Sequence, residues 1–297
     1  MRKYTEKYLL PIAMILGIMF HRQLSILSPV IPYLLSMMLF ITYSRVKWSD
    51  IKLTKFHYIL LSIQYVGSAL IYLALRPFNE ILAQAAMICV LTATATSAPV
   101  VAGILGGSIA ATAAYSIISN LSVAFIAPVF LSLIGKSGET ASFATSFWHI
   151  FRSVIPILVL PFIVALLLRK TAPPLHRKIQ SAQIVSFYLW AVALTIVIGN
   201  ITQYVRLQSD NNYTLEIIIT ATSLVICLFQ FYFGRKIGTR FGRTIAGGQG
   251  LGQKNTVLAI WLAQTYLNPL ATLGPGMYVL WQNLVNSWQI WRKNRKS

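Results

Sequence analysis

The sequence predicts an all-α membrane protein of ten transmembrane helices, built as two inverted five-helix repeats with discontinuous fourth and ninth helices. Three observations carry this. Of the 297 residues, 56% are hydrophobic and 10% charged, more apolar surface than one soluble core hides, so much of it must face lipid. The chain divides into ten apolar stretches near the length a spanning helix needs, about 20 residues. Two of those stretches are interrupted by polar and helix-breaking residues, and they occupy equivalent places in the two halves.

The first half, residues 1–136, holds spans at 8–21, 26–45, 56–76, 80–105 and 109–135. Its first span follows basic residues as a signal peptide would, but no small-residue cleavage site closes it, so it is expected to remain as a helix. The fourth span is irregular. It runs apolar from Ile81 to Val90 and then becomes Leu91-Thr92-Ala93-Thr94-Ala95-Thr96-Ser97-Ala98-Pro99; the interruption is expected near Pro99. The second half, residues 137–297, opens with the loop Gly135-Lys136-Ser137-Gly138-Glu139 and holds spans at 145–168, 183–205, 214–234, 244–265 and 270–291. Its fourth, the ninth overall, carries Gly247-Gly248-Gln249-Gly250-Leu251-Gly252-Gln253-Lys254-Asn255-Thr256, a composition that an unbroken lipid-facing helix does not tolerate. Close helix packing by small residues is the simpler explanation of the glycines, but it leaves Gln249, Gln253 and Lys254 unexplained.

Charge sets the orientation. The net charge of +19 need not mean nucleic acid, and none is expected as a partner, because the basic residues fall in alternate loops. Arg2, Lys3, Lys7, then Arg45, Lys47, Lys52, Lys55, then Arg169, Lys170, Arg177, Lys178, then Arg235, Lys236, Arg240, Arg243, and finally Arg292, Lys293, Arg295, Lys296 are 19 of the 25. By the positive-inside rule these segments and both termini are cytoplasmic, and the expected location is the cytoplasmic membrane of a bacterium. Because five spans per half is odd, the second copy enters the membrane from the opposite side. Paired interruptions in such inverted repeats mark a midplane substrate site.

Enzyme and channel alternatives find little support. No catalytic cluster of His or paired acids lies at membrane depth, and there is no charged ring or repeated filter. Cys89 and Cys227 lie in apolar runs without metal-ligand spacing, and His21, His57 and His176 sit near interfaces. Gly252-Gln253-Lys254 resembles a phosphate loop only superficially, since Gln253 separates glycine from lysine and no strand precedes it. His149 and Arg152 lie near the outer end of the sixth span, where an arginine ordinarily snorkels.

At the two interruptions the chain resembles the bile acid:sodium symporter family. Ala95-Thr96-Ser97-Ala98, Gly106-Gly107, Thr112, Ser116 and Pro128 follow the family's pattern of Gly-Thr-Ala-Ser-Asn, Gly, Ser/Thr and Pro. Gln249 to Asn255 lies where the family has Glu-x-Gly-Met-Gln-Asn, and Asn268-Pro269 through Gly274-Pro275-Gly276 to Trp281-Gln282-Asn283-Leu284 follows its last helix. The resemblance implies a panel and a core domain, crossing of the fourth and ninth helices at the midplane, and secondary transport by alternating access. Sodium-coupled members use a Ser-Asn pair on the fourth helix, hydroxyls on the fifth, a ninth-helix Glu with its following Gln, and a Gln on the third. Ser97, Gln253 and Gln64 match these positions here. Ala98, Gln249 and Lys254 replace the Asn, the Glu and the Asn after the Gln.

A dehydrated sodium ion needs several oxygens, ordinarily with a carboxylate to offset desolvation. The six acids, Glu6, Asp50, Glu80, Glu139, Asp210 and Glu216, all fall in loops or near span ends. Na+ is thus expected at most as a coupling ion lacking its usual carboxylate, and no other cofactor or metal is expected. Lys254 at mid-depth costs roughly 2.5–3.5 kcal/mol on insertion scales, which something must offset. Its ammonium could act as a tethered cation in place of the ion, contacting Gln249, Asn255 and backbone carbonyls; bind an anionic substrate; carry a proton through the cycle; or simply snorkel. The expected site comprises Gln64, Thr96, Ser97, Pro99, Thr112, Ser116, Gln249, Gln253, Lys254 and Asn255. The expected substrate is a small organic anion carried without sodium, with a sodium-coupled symporter of rebuilt ion site as the alternative. Lipid is the expected surrounding, and a homodimer is left open.

Overall fold

The computed structural model describes residues 2–45, 52–135, 142–207 and 213–295. The loop from Lys136 to Glu139, with the repeat boundary it contains, lies outside the described residues, as do Lys47, Asp50, Asp210 and Lys296. Helices occupy Arg2–Met19 (α1), His21–Ser25 (α2), Ile31–Ser44 (α3), Lys55–Leu75 (α4), Glu80–Leu91 (α5), Ala98–Ile104 (α6) and Ile109–Ile134 (α7). They continue with Phe143–Thr171 (α8), Pro173–Ser181 (α9), Gln183–Arg206 (α10), Thr214–Thr239 (α11), Thr244–Gly252 (α12), Thr256–Tyr266 (α13) and Leu273–Asn294 (α14).

Five of these, α4, α7, α8, α10 and α11, are long and apolar enough to cross a membrane by length and composition. The remaining predicted spans look different for identifiable reasons. α3 is short, and α14 carries buried Gln282, Asn286 and Gln289 along one face. The fourth and ninth are each split into two short helices, α5 with α6 and α12 with α13. α5 is buried at every position from Leu82 to Leu91, and α13 from Thr256 to Ala263. A helix that is apolar all round belongs inside the bundle. The segments on either side of the breaks, α5 and most of α13, are therefore enclosed by protein, where non-helical backbone at depth is tolerated.

Two corrections concern the interruptions. The fourth is not centred on Pro99: α5 ends at Leu91, Thr92 to Ser97 are non-helical, and Pro99 lies in the first turn of α6. Proline's fixed φ suits a first turn, where its missing N–H costs nothing, so Pro99 starts the second segment. In the ninth, the glycine run is itself helical, and only Gln253 to Asn255 fall between α12 and α13. α9, an additional short helix between the sixth and seventh spans, was not anticipated; Gln180 fastens it to the Ser44 carbonyl.

Packing separates two groups. α3 lies against α8 and α10, and α1 and α2 run along α10, whereas α4 and α11 pack on α5 and α11 also packs on α12 and α14. The α11–α12 hairpin turns at Gly242, whose φ of +64° suits glycine, and brings the two backbones into contact. A Cβ on Gly247 would lie 2.1 Å from the Gly234 carbonyl oxygen, and one on Gly234 would lie 2.2 Å from that of Gly247. Part of the glycine run thus serves close approach.

Gly247→Val is expected to cost at least about 2–3 kcal/mol through overpacking against backbone that has no room to yield. It should lower the melting temperature and the monodisperse yield in detergent. Gly67→Ala, whose Cβ would meet only Val90 Cγ1 at 3.7 Å, should be tolerated; equal behaviour of the two variants would contradict the packing described.

Candidate functional site

A helix that stops inside a protein leaves its last carbonyls without partners. At the end of α5 each is met. The Ile88 carbonyl accepts from the Thr92 amide at 3.2 Å and the Thr92 hydroxyl at 2.7 Å. Cys89 accepts from Gln230 Nε2 at 3.3 Å, Val90 from Lys254 Nζ at 2.8 Å, and Leu91 from Gln64 Nε2 at 2.7 Å. Three side chains, from α11, from the link between α12 and α13, and from α4, therefore cap one broken helix. α12 is finished in a related way: Thr94 Oγ1 donates to the Gly250 carbonyl at 2.6 Å, and Tyr278 donates to that of Gly252 at 2.8 Å.

The two non-helical stretches also pair directly. Thr94 and Lys254 form an antiparallel bridge, with the Ala95 amide donating to Gln253 O at 2.9 Å and the Asn255 amide to Ala93 O at 2.8 Å. The interruptions thus cross and supply each other's backbone hydrogen bonds.

Lys254 is 1% exposed, so it does not snorkel. Its ammonium donates to the carbonyls of Val90 and Thr92, at 2.8 and 3.0 Å, and its amide donates to Gln282 Oε1 at 2.8 Å. The negative end of the α5 dipole is a favourable place for a cation. Neither Gln249 nor Asn255 is a partner of the ammonium. Gln249 Nε2 donates to Asn286 Oδ1 at 2.9 Å, and Asn255 Oδ1 caps α13 by accepting from the Leu258 amide at 3.2 Å. Among the described residues the ion pair found is Arg76–Glu80, with 63% and 44% exposed side chains, so no carboxylate offsets Lys254.

The other expected residues fall into two sets. Gln64 is fully buried at the crossing, its Oε1 accepting from Tyr115 at 2.8 Å and Ser119 at 3.0 Å. Ser116 Oγ lies 3.4 and 3.3 Å from the carbonyls of Thr94 and Ala95, and Gln253 Nε2 donates to Ser97 Oγ at 2.8 Å. Thr112 stands apart, its hydroxyl bonded to the Ser108 carbonyl of its own helix at 2.9 Å. Thr96, Ser97, Pro99, Gln253, Lys254 and Asn255 line a cavity of about 750 Å³, within the usual range of small-molecule sites. Phe187 and Trp190 of α10, ring centroids 5.8 Å apart, face it from one side. α14 contributes Gln282, Asn283, Asn286 and Ser287 from another.

Sequence reasoning missed Tyr115, Tyr278, Gln230 and Gln282 as parts of the crossing. The spacing of Gln282, Asn286 and Gln289 on an otherwise membrane-length helix was a readable signal of a polar face. The tyrosines gave none, since a lone tyrosine in an apolar run is ordinary core. Arg152, by contrast, lies away from the crossing, exposed and 4.9 Å above the Trp148 ring.

An all-helical bundle with apolar helices of membrane length and two interrupted helices crossing inside it is the architecture of an integral multi-pass membrane protein with an internal site. The model of the SBF-like CPA transporter family (DUF4137) matches residues 26–281, and the chain belongs to this bile acid:sodium symporter-like family of membrane transporters. A search of curated proteins finds no match to the chain.

Gln64→Leu should destabilise the protein by about 2–4 kcal/mol, because it strands the Leu91 carbonyl and the Tyr115 and Ser119 hydroxyls in a buried place. Tyr115→Phe, which removes one of those partners, should cost about 1 kcal/mol. Thermal denaturation in detergent checks the order; a Gln64→Leu variant as stable as the wild type would remove the capping role.

Proposed function

We propose that the protein is a secondary carrier of a small organic anion, working by alternating access and without sodium. The observation that carries this is the Lys254 ammonium on the Val90 and Thr92 carbonyls, at the crossing of the broken helices. A fixed cation there occupies oxygens that a dehydrated ion would need, in a region whose described residues offer no carboxylate. It also makes the site electrostatically hospitable to an anion.

An inverted repeat is supported by side chains that correspond across the halves. Gln64 on α4 and Tyr115 on α7 attend the end of α5, while Gln230 on α11 and Tyr278 on α14 meet at 3.0 Å beside the end of α12. In a ten-span arrangement these are the third and fifth helices of each half, related by the symmetry that inverted repeats impose. The cavity is reached from the ends of α3, α10 and α14 next to the basic segments, so with those segments cytoplasmic the state described is open inward.

A sodium symporter with a rebuilt site is favoured by one observation. Asn120 Oδ1 and Gln253 Oε1 are buried oxygens without a hydrogen-bond partner, both on residues whose nitrogens contact the crossing. Reconstituted protein separates the two. Counterflow of radiolabelled organic acids is expected to be equal in Na+ and choline media and to be abolished by Lys254→Ala, while the melting temperature is expected to be the same in NaCl and choline chloride of equal ionic strength. Sodium-dependent uptake by the wild type, with sodium-dependent stabilisation, would overturn the sodium-free mechanism in favour of the rebuilt site.

A further inference from the structure

The cavity is organised along its length. α3 presents Met38, Ile41, Thr42 and Arg45 to it, one stripe of a helix that covers two turns, about 10 Å. Arg45 is the C-cap residue of α3, so it marks the shallow end. Gln282 marks the deep end, since its Oε1 accepts the Lys254 amide at the crossing. Beside it Ser97, held by Gln253 Nε2, and Asn255 complete a polar floor. Between the two ends run the stacked rings of Phe187 and Trp190 and the aliphatic residues of α3.

Among the described residues two cations line this cavity, Arg45 and Lys254, and they differ in exposure. Lys254 is 1% exposed with its ammonium committed to backbone carbonyls. Arg45 is exposed. No Asp, Glu or His side chain lines the cavity among the described residues, and low-dielectric walls strengthen the field of a charge set between them. A guanidinium also offers the forked donors that match a carboxylate or sulfonate.

From this we infer that Arg45 is the specificity-determining residue that binds the substrate's acid group at the shallow end of the cavity. The ligand it selects is a rod-like acid, with an apolar or aryl body along Phe187 and Trp190 and a hydroxyl or similar group reaching Ser97 and Gln282. This deepens the organic-anion assignment proposed above and rests on it. An ordinary surface arginine at the end of a membrane helix would serve only topology and would not discriminate among bound acids.

The test uses the purified full chain and a rigid probe of suitable length, radiolabelled 4′-hydroxybiphenyl-4-carboxylate, with its uncharged carboxamide. The wild type is expected to bind the acid saturably and at least about tenfold tighter than the amide, the size set by one charge-assisted hydrogen bond. Arg45→Gln should remove that preference without lowering the melting temperature, and Arg45→Lys should keep much of it. Wild type that binds the two probes alike or binds neither, or an Arg45→Gln variant that keeps the preference, overturns the assignment. Uptake of the acid into proteoliposomes is read separately. Arg45-dependent binding without uptake removes the carrier function and leaves the role of Arg45, whereas uptake indifferent to Arg45→Gln does the reverse.

Discussion

Much of this structure follows from the need to satisfy the carbonyls at the end of α5. A helix that stops within a membrane-embedded core leaves backbone acceptors where water does not reach them, and each unmet group costs free energy comparable to a lost hydrogen bond. The chain meets the demand with Gln230, Lys254 and Gln64, which take the Cys89, Val90 and Leu91 carbonyls in succession. The elements that carry those residues, α11, the link from α12 to α13, and α4, are thereby drawn to one point. Two helix ends and two extended segments that would each be unstable alone become mutually satisfied.

That requirement accounts for where polarity is placed. Thr94, Ser119 and Tyr115 would be costly in lipid, yet each is buried with a partner at the crossing. Around them, α5 from Leu82 to Leu91 and α13 from Thr256 to Ala263 are enclosed. The close contact of α11 with α12 at Gly234 and Gly247 holds the second broken helix against the rest, a function for which glycine is suited because backbone meets backbone. Rigidity of this kind confines polar exposure to the cavity, where Ser97 and Asn283 remain reachable.

The placement of charge is the more unusual consequence. A lysine enclosed without a carboxylate is expensive, and here the α5 terminus supplies compensation through oriented carbonyls. An amine used as a structural cap and an amine standing in for a mobile ion occupy the same geometry. Lys254 thereby places a positive charge at the crossing, held on the Val90 and Thr92 carbonyls.

The sequence alone determined the class of protein. Hydropathy, alternating basic loops and two polar interruptions in long apolar stretches are local properties, and they identified a membrane bundle with split helices and singled out Gln253 and Lys254, while Gln64 came from the family resemblance. It also conveyed that something must compensate Lys254, because burial of a charge at depth has a cost independent of fold. It also offered the carbonyls of the broken helices as partners of the ammonium, beside Gln249 and Asn255; which carbonyls, those of Val90 and Thr92, and that neither side chain takes part, were legible only once α5 was seen to end beside it. For the same reason Pro99 was mistaken for the break, Gln249 was assigned to the ammonium instead of Asn286, and Tyr115 and Tyr278 passed as ordinary core. Tertiary structure decided these points because hydrogen-bond partners 20 to 180 residues apart are chosen by which helix ends meet, and that is settled by packing of the whole bundle.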